Sequence, residues 1–295
     1  MPEQVDRLLA SGMVGDRTVM ERRLSSVSYH RLSAYWHPFR LGTDTFTPGT
    51  SFDVVWQRYV FDRALRVLVM DVLERIEVAV RTRLANAWAA AFGPMGYTEG
   101  ANWGDPQRHL RFMEDLRKEL GRAADKEDLL KRFFDEHGSA HTCPPVWMAA
   151  EVMSFGTVQT LYLGAQKRIR DEVADSFVVP TPVFESWLRA LVGVRNICAH
   201  HGRLWNRQLW AKPIIPRLDR LRRYREWHEP VGVPAERVYS VLTICAYLLY
   251  GIAPGSQWAV RLRVLVCRAE GVPVQEMGFP KAWESSEIWS RMLPG

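Results

Sequence analysis

The sequence is poor in cysteine, and its cysteines lie far apart. Cys143, Cys198, Cys245 and Cys267 include no pair at C-x-x-C spacing. This spacing argues against both a disulfide scaffold and a zinc ribbon. A secretory leader is not indicated either, because residues 1–6 (MPEQVD) are acidic rather than basic. We therefore expect reduced thiols in a cytoplasmic protein.

Long hydrophobic runs are also scarce. The one long apolar stretch, 238–253, is shorter than a typical membrane-spanning helix and includes Ser240, Thr243 and three tyrosines. A buried core helix is the better prediction for this stretch, and no membrane partner is expected.

Alternating strand patterns are nearly absent, whereas apolar residues recur at helical spacing, so the predicted fold class is all-α. On the longest helix, Asp62/Arg66 and Glu77/Arg81 are spaced i, i+4 and are predicted to lie on its polar side. The lysine- and glutamate-rich part, 115–132, is interpreted as a solvated face. Helices are predicted at 3–12, 17–26 (capped by Asp16), about 51–91 (capped by Ser51 or Asp53 and ended by Gly93), 106–122, after 144–145, after 179–182 and through residue 200, and at about 217–227, 235–252 and 256–268.

Acidic residues are fewer than basic ones. Lys and Arg number 39 against 33 Asp and Glu, which gives a net charge of +6. A net positive charge favours a polyanion such as nucleic acid as partner, although the charge alone is weak evidence for one. Hydrophobic residues make up 47% of the chain, enough for a packed globular domain rather than a disordered chain.

The run 194–207 (VRNICAHHGRLWNR) is the most informative stretch. It combines adjacent histidines with three arginines and two asparagines. Arginine binds phosphate through a planar fork of donors, and histidine transfers protons near neutral pH. These groups can cut a phosphodiester without a cofactor, so we interpret the run as a ribonuclease site.

Helix geometry divides the members of this run. Arg195 and His200 are five positions apart, which on an ideal helix is a rotation of about 140° and a rise of about 7.5 Å. Asn196 and His200 share a face, and His201 lies about 100° from His200. We therefore expect a half-site that a second surface completes, most simply in a two-fold homodimer.

RNA can supply its own 2′-hydroxyl as nucleophile, and the roles follow from that chemistry. His200 would transfer protons, Arg195 would bind the phosphate, and Asn196 would orient the imidazole or donate to a phosphate oxygen. His201 is a second choice for the acid, or a structural residue.

Further along the run, two arginines and a tryptophan could enlarge the site. Arg203 and Arg207 would extend the phosphate-binding surface, and Trp205 is available for packing in the core or for base stacking.

Structural explanations compete with each of these roles. An Arg and a His five apart are often coincidental, and Glu77/Arg81 can be an ordinary helix-surface pair. A metal site at Cys198, His200 and His201 is disfavoured, because adjacent ligands point apart and no second ligand group follows at zinc spacing. The aromatic and basic segment 29–40 is either a hydrophobic anchor or an RNA contact.

Several blocks in order resemble the Abi family of bacterial abortive-infection proteins, the AbiD/AbiF-like group. The resemblance covers nearly the whole chain, and the block that ends in Arg-Leu-Trp-Asn-Arg is specific. The matching blocks are 29–36 (YHRLSAYW), 46–52 (FTPGTSF), 59–66 (YVFDRALR), 75–81 (RIEVAVR), 145–148 (PVWM), 151–156 (EVMSFG), 195–207 and 277–280 (MGFP) with Trp283.

The resemblance implies a fold and an activity. The family is similar to the HEPN superfamily, whose members include metal-independent endoribonucleases with an Arg-x4-His motif completed across a dimer. Arg195 and His200 match its fixed positions, and Asn196 matches its polar second residue. The implied fold is a single HEPN-like helical bundle, with a core at 51–255, an N-terminal helical attachment at 1–50, and a C-terminal helix and tail at 256–295.

The resemblance also implies partners and a biological role. Cleavage would leave a 2′,3′-cyclic phosphate and a 5′-hydroxyl and would serve phage defence, with no cofactor. Glu77 and Arg81 are expected to support the site. A structured small RNA or an antitoxin is an expected partner. The alternative is a non-catalytic HEPN-type RNA-binding or toxin–antitoxin assembly module.

Overall fold

The computed structural model describes residues 2–215 and 234–293. The chain is 69% helical, with thirteen α-helices and two short strands in these ranges, which confirms the all-α prediction. The predicted helix at 217–227 lies outside the described residues. The elements are α1 (Pro2–Ala10), α2 (Arg17–Ser26), α3 (Tyr29–Trp36), β1 (Arg40–Leu41), β2 (Thr45–Phe46), α4 (Phe52–Phe92), α5 (Pro106–Ala123), α6 (Asp128–His137), α7 (Val146–Val152), α8 (Phe155–Gly164), α9 (Lys167–Ser176), α10 (Thr181–Ala199), α11 (Val238–Ile252), α12 (Trp258–Cys267) and α13 (Glu287–Met292).

Local capping signals fix several helix ends where they were predicted. The Asp16 carboxylate accepts a hydrogen bond from the Val19 amide at 2.8 Å at the start of α2. Ser51 caps the start of α4, and Gly93, with φ +77°, ends it. These ends are predictable because a cap depends on residues within one turn.

Five helices were not predicted individually: α3, α6, α8, α9 and α13. α6 overlaps the stretch 115–132, and the interpretation of that stretch as a solvated face is wrong in part, because Leu116, Leu120 and Leu130 are buried. α8 begins at Phe155, after a break from α7, and the Ser154 hydroxyl caps it by accepting a hydrogen bond from the Thr157 amide at 3.2 Å. The polar sequence of α9 is anchored by a few buried apolar residues.

The central element is α4, which packs against α3, α7, α9, α10, α11 and α12. The prediction that the Asp62/Arg66 and Glu77/Arg81 pairs lie on a polar side of this helix is wrong, because Asp62, Arg66 and Arg81 are all buried. A helix that packs against several others keeps only a narrow solvent-exposed stripe, so charged residues outside that stripe must find partners inside the protein.

The apolar stretch at 238–253 forms α11, a core helix with most of its side chains buried, as predicted. In the described ranges no single helix has both the length and the apolar composition needed to cross a membrane. One bent pair, Lys167–Ser176 with Thr181–Ala199, meets those criteria only jointly, with a 76° angle between its helices.

Candidate active site

The predicted site lies at the carboxyl end of α10, which stops at Ala199. Arg195 and Asn196 belong to its last turns, and His200 is the residue that caps it, with φ −89° and ψ 15°. The His200 amide donates to the Asn196 carbonyl at 3.0 Å, so the backbone keeps these two residues one turn apart. Both side chains are exposed to solvent.

His201 reverses the chain immediately after the helix. Its φ is +57°, its amide donates to the Cys198 carbonyl at 3.0 Å, and the Gly202 amide donates to the Ile197 carbonyl at 2.8 Å. These two bonds form a Schellman motif, in which glycine usually occupies the position that His201 holds. The predicted 100° separation of the two histidines is therefore wrong, since it assumed that the helix continued.

This backbone conformation makes His201→Gly a stabilising substitution. A left-handed conformation costs a non-glycine residue about 1–2 kcal/mol, and glycine avoids this at a smaller entropic cost. We expect the free energy of unfolding in urea to rise by about 0.5–1 kcal/mol. His201→Ala is the matched control, because it removes the imidazole but keeps the strain. Equal stability of the two variants would contradict the argument.

Glu77 joins two arginines beside the motif. One carboxylate oxygen accepts a hydrogen bond from Arg81 Nη2 at 2.6 Å, and the other lies 3.5 Å from Arg195 Nε. The Glu77 side chain is only 12% exposed, whereas Arg195 remains 31% exposed. Arg81 also donates to the Glu151 carbonyl at 2.8 Å. Glu77 therefore contacts Arg195 directly, whereas Arg81 reaches the predicted site only through Glu77.

The ion pair with Glu77 occupies one edge of the Arg195 guanidinium. The two Nη groups of Arg195 donate no hydrogen bond to any residue that the structure describes. An arginine has five N–H donors, four of them on the Nη atoms. The Nε group itself is buried and lies beside Glu77 without a hydrogen bond, so Arg195 is positioned by the ion pair while its Nη donors stay available for a phosphate.

Asp62 ties the segment after the motif to the core, a role that sequence reasoning missed. This fully buried carboxylate accepts hydrogen bonds from the Leu204 amide at 3.0 Å, the Trp205 amide at 2.5 Å, the Tyr35 hydroxyl at 2.5 Å, and Arg66. Burial raises the pKa of Asp62, and the four donors offset part of that effect. The block at 59–66 contained the signal, but spacing alone cannot show burial.

One aromatic side chain and one thiol of the run 194–207 belong to the protein core. Trp205 is fully buried and stacks on Tyr35 with 6.3 Å between ring centroids, so it is not available for base stacking. Cys198 is buried, and burial raises the pKa of its thiol to about 12. Among the described residues, no group of three or more His, Cys, Asp or Glu is placed to hold a metal ion.

The remaining predicted residues line a second surface. Arg203 donates to the Ala34 carbonyl at 2.6 Å, and Arg207 donates to the Arg203 carbonyl at 3.3 Å. Both line a cleft of about 680 Å³ with Tyr29 and Arg40. His201 lies instead in a different cleft, so the structure does not bring the three predicted phosphate-binding residues together.

The N-terminal segment reaches the motif through α3. Arg31 Nη1 donates to the His201 carbonyl at 2.6 Å. Three aromatic or apolar residues of the same helix, Leu32, Tyr35 and Trp36, are buried, as expected for a hydrophobic anchor. Sequence reasoning did not assign Arg31 to the site, although it lies in the block at 29–36.

A family model described as Abi-like protein matches residues 22–206, well over half of the chain. The chain belongs to this family. The matched range includes Arg195, Asn196, His200 and Glu77. Membership in the Abi-like family suggests a role in abortive-infection phage defence. No curated protein and no solved structure matches the chain.

Proposed function

We propose that this Abi-like protein is a metal-independent endoribonuclease of the HEPN type that acts in phage defence. The observation that carries the proposal is the arrangement of Arg195. Its Nε side is held by Glu77, its Nη donors are unused among the described residues, and the exposed His200 follows at the end of the same helix. Because Arg195 is 31% exposed, these donors can exchange water for the oxygens of a phosphate.

The proposed reaction uses the substrate's own 2′-hydroxyl. His200 accepts the 2′-hydroxyl proton while O2′ attacks the phosphorus, and the P–O5′ bond breaks as O5′ receives a proton. Arg195 binds the non-bridging oxygens, on which negative charge develops, and Asn196 orients the imidazole or donates to the same oxygens. The products are a 2′,3′-cyclic phosphate and a 5′-hydroxyl.

The reaction needs a base and an acid, and we assign only His200 of each copy to these roles, because the exposed His201 lines the cleft beside Arg31 and Arg63. A second copy would supply the same histidine from the other side. A cleft beside α10 supports this part of the proposal: Trp210, in the segment after that helix, is 98% exposed and borders the cleft together with Gly193 and Ile197 of α10. Exposed apolar surface of this kind commonly marks an interface. A strictly monomeric protein with full activity would contradict the dimer.

The activity is tested by incubating the purified protein in EDTA with an RNA and with the DNA of the same sequence. We expect the RNA alone to be cut, because DNA lacks the nucleophile, and the fragments to carry the termini given above. Replacing the ribose at a mapped cut with 2′-deoxyribose should abolish that cut only. RNA binding without cleavage would favour the non-catalytic module instead, and cleavage of DNA would contradict the proposed chemistry.

A further inference from the structure

The cleft that contains His201 is lined by several basic residues, most of which lie outside the Arg-x4-His motif. It has a volume of about 710 Å³ and lies between α3, α4 and the end of α10. Arg31, Arg63, Arg66 and His201 line it, and no acidic side chain does. Arg66 is paired with the buried Asp62, but its neighbour Arg63 is exposed and forms no ion pair or hydrogen bond with any described residue.

A single stripe of α4 supplies the other wall. Tyr59, Arg63, Val67 and Met70 are spaced by three or four residues, so they follow one another along one face for about 16 Å. The stripe therefore presents an aromatic ring, a free cation and apolar side chains in turn. Val67 is 64% exposed.

The aromatic ring of this stripe is held in place. Tyr59 packs edge-on against Tyr35 with 5.7 Å between ring centroids and lies 5.3 Å from Trp56. A ring that is fixed from behind and half-buried loses little entropy when a base stacks on it. Stacking of this kind accepts any base, because every base has a π-face.

We infer that this cleft binds a single-stranded segment of RNA next to the motif. Arg63 and the unused donors of Arg31 bind phosphates, and Tyr59 stacks on a base while Val67 and Met70 contact its apolar face. The inference rests on the proposed function for the identity of the ligand. Duplex RNA fits less well, because its bases are paired and stacked internally and cannot reach Tyr59.

Binding is tested with the His200→Ala protein in EDTA, so that the RNA stays intact. A fluorescent single-stranded RNA and its duplex are titrated into His200→Ala, His200→Ala/Arg63→Ala and His200→Ala/Arg111→Ala. Arg111 is an exposed arginine of α5 outside the cleft and controls for the loss of one positive charge. Both arginines are exposed and on helices, and alanine keeps helix propensity, so folding should be unaffected.

We expect Arg63→Ala to weaken single-strand binding by about fivefold to tenfold and to lower the salt slope by about one. Arg111→Ala should change the affinity less than twofold. Photo-crosslinking of a 5-iodouridine RNA should label the tryptic peptide 59–63, which contains Tyr59. Equal effects of the two alanine variants, or tighter binding of the duplex than of the single strand, would overturn the inference.

The outcomes separate this inference from the proposed function. If the wild type cleaves RNA and Arg63→Ala leaves the affinity unchanged, the nuclease proposal is supported and RNA binding in the cleft is contradicted. If binding depends on Arg63 but the wild type does not cleave RNA, RNA binding in the cleft is supported and the nuclease proposal is contradicted.

Discussion

Replacing His200 with alanine is expected to lower the rate of RNA cleavage by about 10²–10⁴-fold, the usual contribution of a positioned acid or base. Its side chain is exposed and makes no described hydrogen bond, so the free energy of unfolding should change by less than about 0.5 kcal/mol. The loss of activity would therefore come from chemistry and not from unfolding. Cleavage of a labelled RNA at saturating protein concentration measures the rate, and urea denaturation measures the stability.

The companion substitution is Arg195→Lys, which keeps the charge but removes the planar fork. It should also reduce cleavage strongly, because lysine binds phosphate as a point charge and cannot form a bidentate pair. The control is His141→Ala, an exposed histidine in the loop after α6. It should leave cleavage unchanged. Wild-type rates in both His200→Ala and Arg195→Lys would end the assignment of the site.

Asp62→Ala is expected to lower the free energy of unfolding by about 3–5 kcal/mol, the cost of breaking a buried ion pair from one side. The substitution leaves the buried guanidinium of Arg66 without its carboxylate and removes the acceptor for the Leu204 and Trp205 amides and the Tyr35 hydroxyl. Each buried donor left unpaired adds a desolvation cost. Guanidinium denaturation followed by tryptophan fluorescence measures the loss.

A matched control lies on the same helix. Asp71 pairs with Arg75 and Arg261, but its side chain is 28% exposed, so water can solvate the remaining arginines. Asp71→Ala should therefore cost about 1 kcal/mol or less. Asp62→Asn, which keeps the size and part of the acceptor capacity, should fall between the two. Similar losses for Asp62→Ala and Asp71→Ala would show that burial does not set the strength of the pair.

Much of the fold could be predicted from the sequence because its signals are local. The caps at Asp16 and Ser51 and the stop at Gly93 lie within one turn of the helix ends they fix, so the starts of α2 and α4 and the end of α4 agree with prediction. α6 and α9 were missed because only a few apolar residues in each polar sequence become buried, and their pattern is weak without the rest of the core.

The sequence by itself also determined which chemical groups the candidate site contains. The run at 195–207 supplies the arginine and histidine side chains that phosphate chemistry needs. The division of the chain into 1–50, 51–255 and 256–295 stays a prediction. Spacing could not distinguish a surface i, i+4 pair from a buried one, since both have the same separation. Asp62/Arg66 and Glu77/Arg81 were therefore placed wrongly on a polar face.

Only the tertiary structure decided how those groups are held. Arg31 contacts the carbonyl of His201 from 170 positions away in the chain, and Asp62 binds the amide of Trp205 from 143 positions away. Such contacts depend on which faces of α3, α4 and α10 meet, and this is fixed by packing of the whole core rather than by any local pattern. The same packing places Glu77 against Arg195 and leaves the four Nη donors of Arg195 without a described partner.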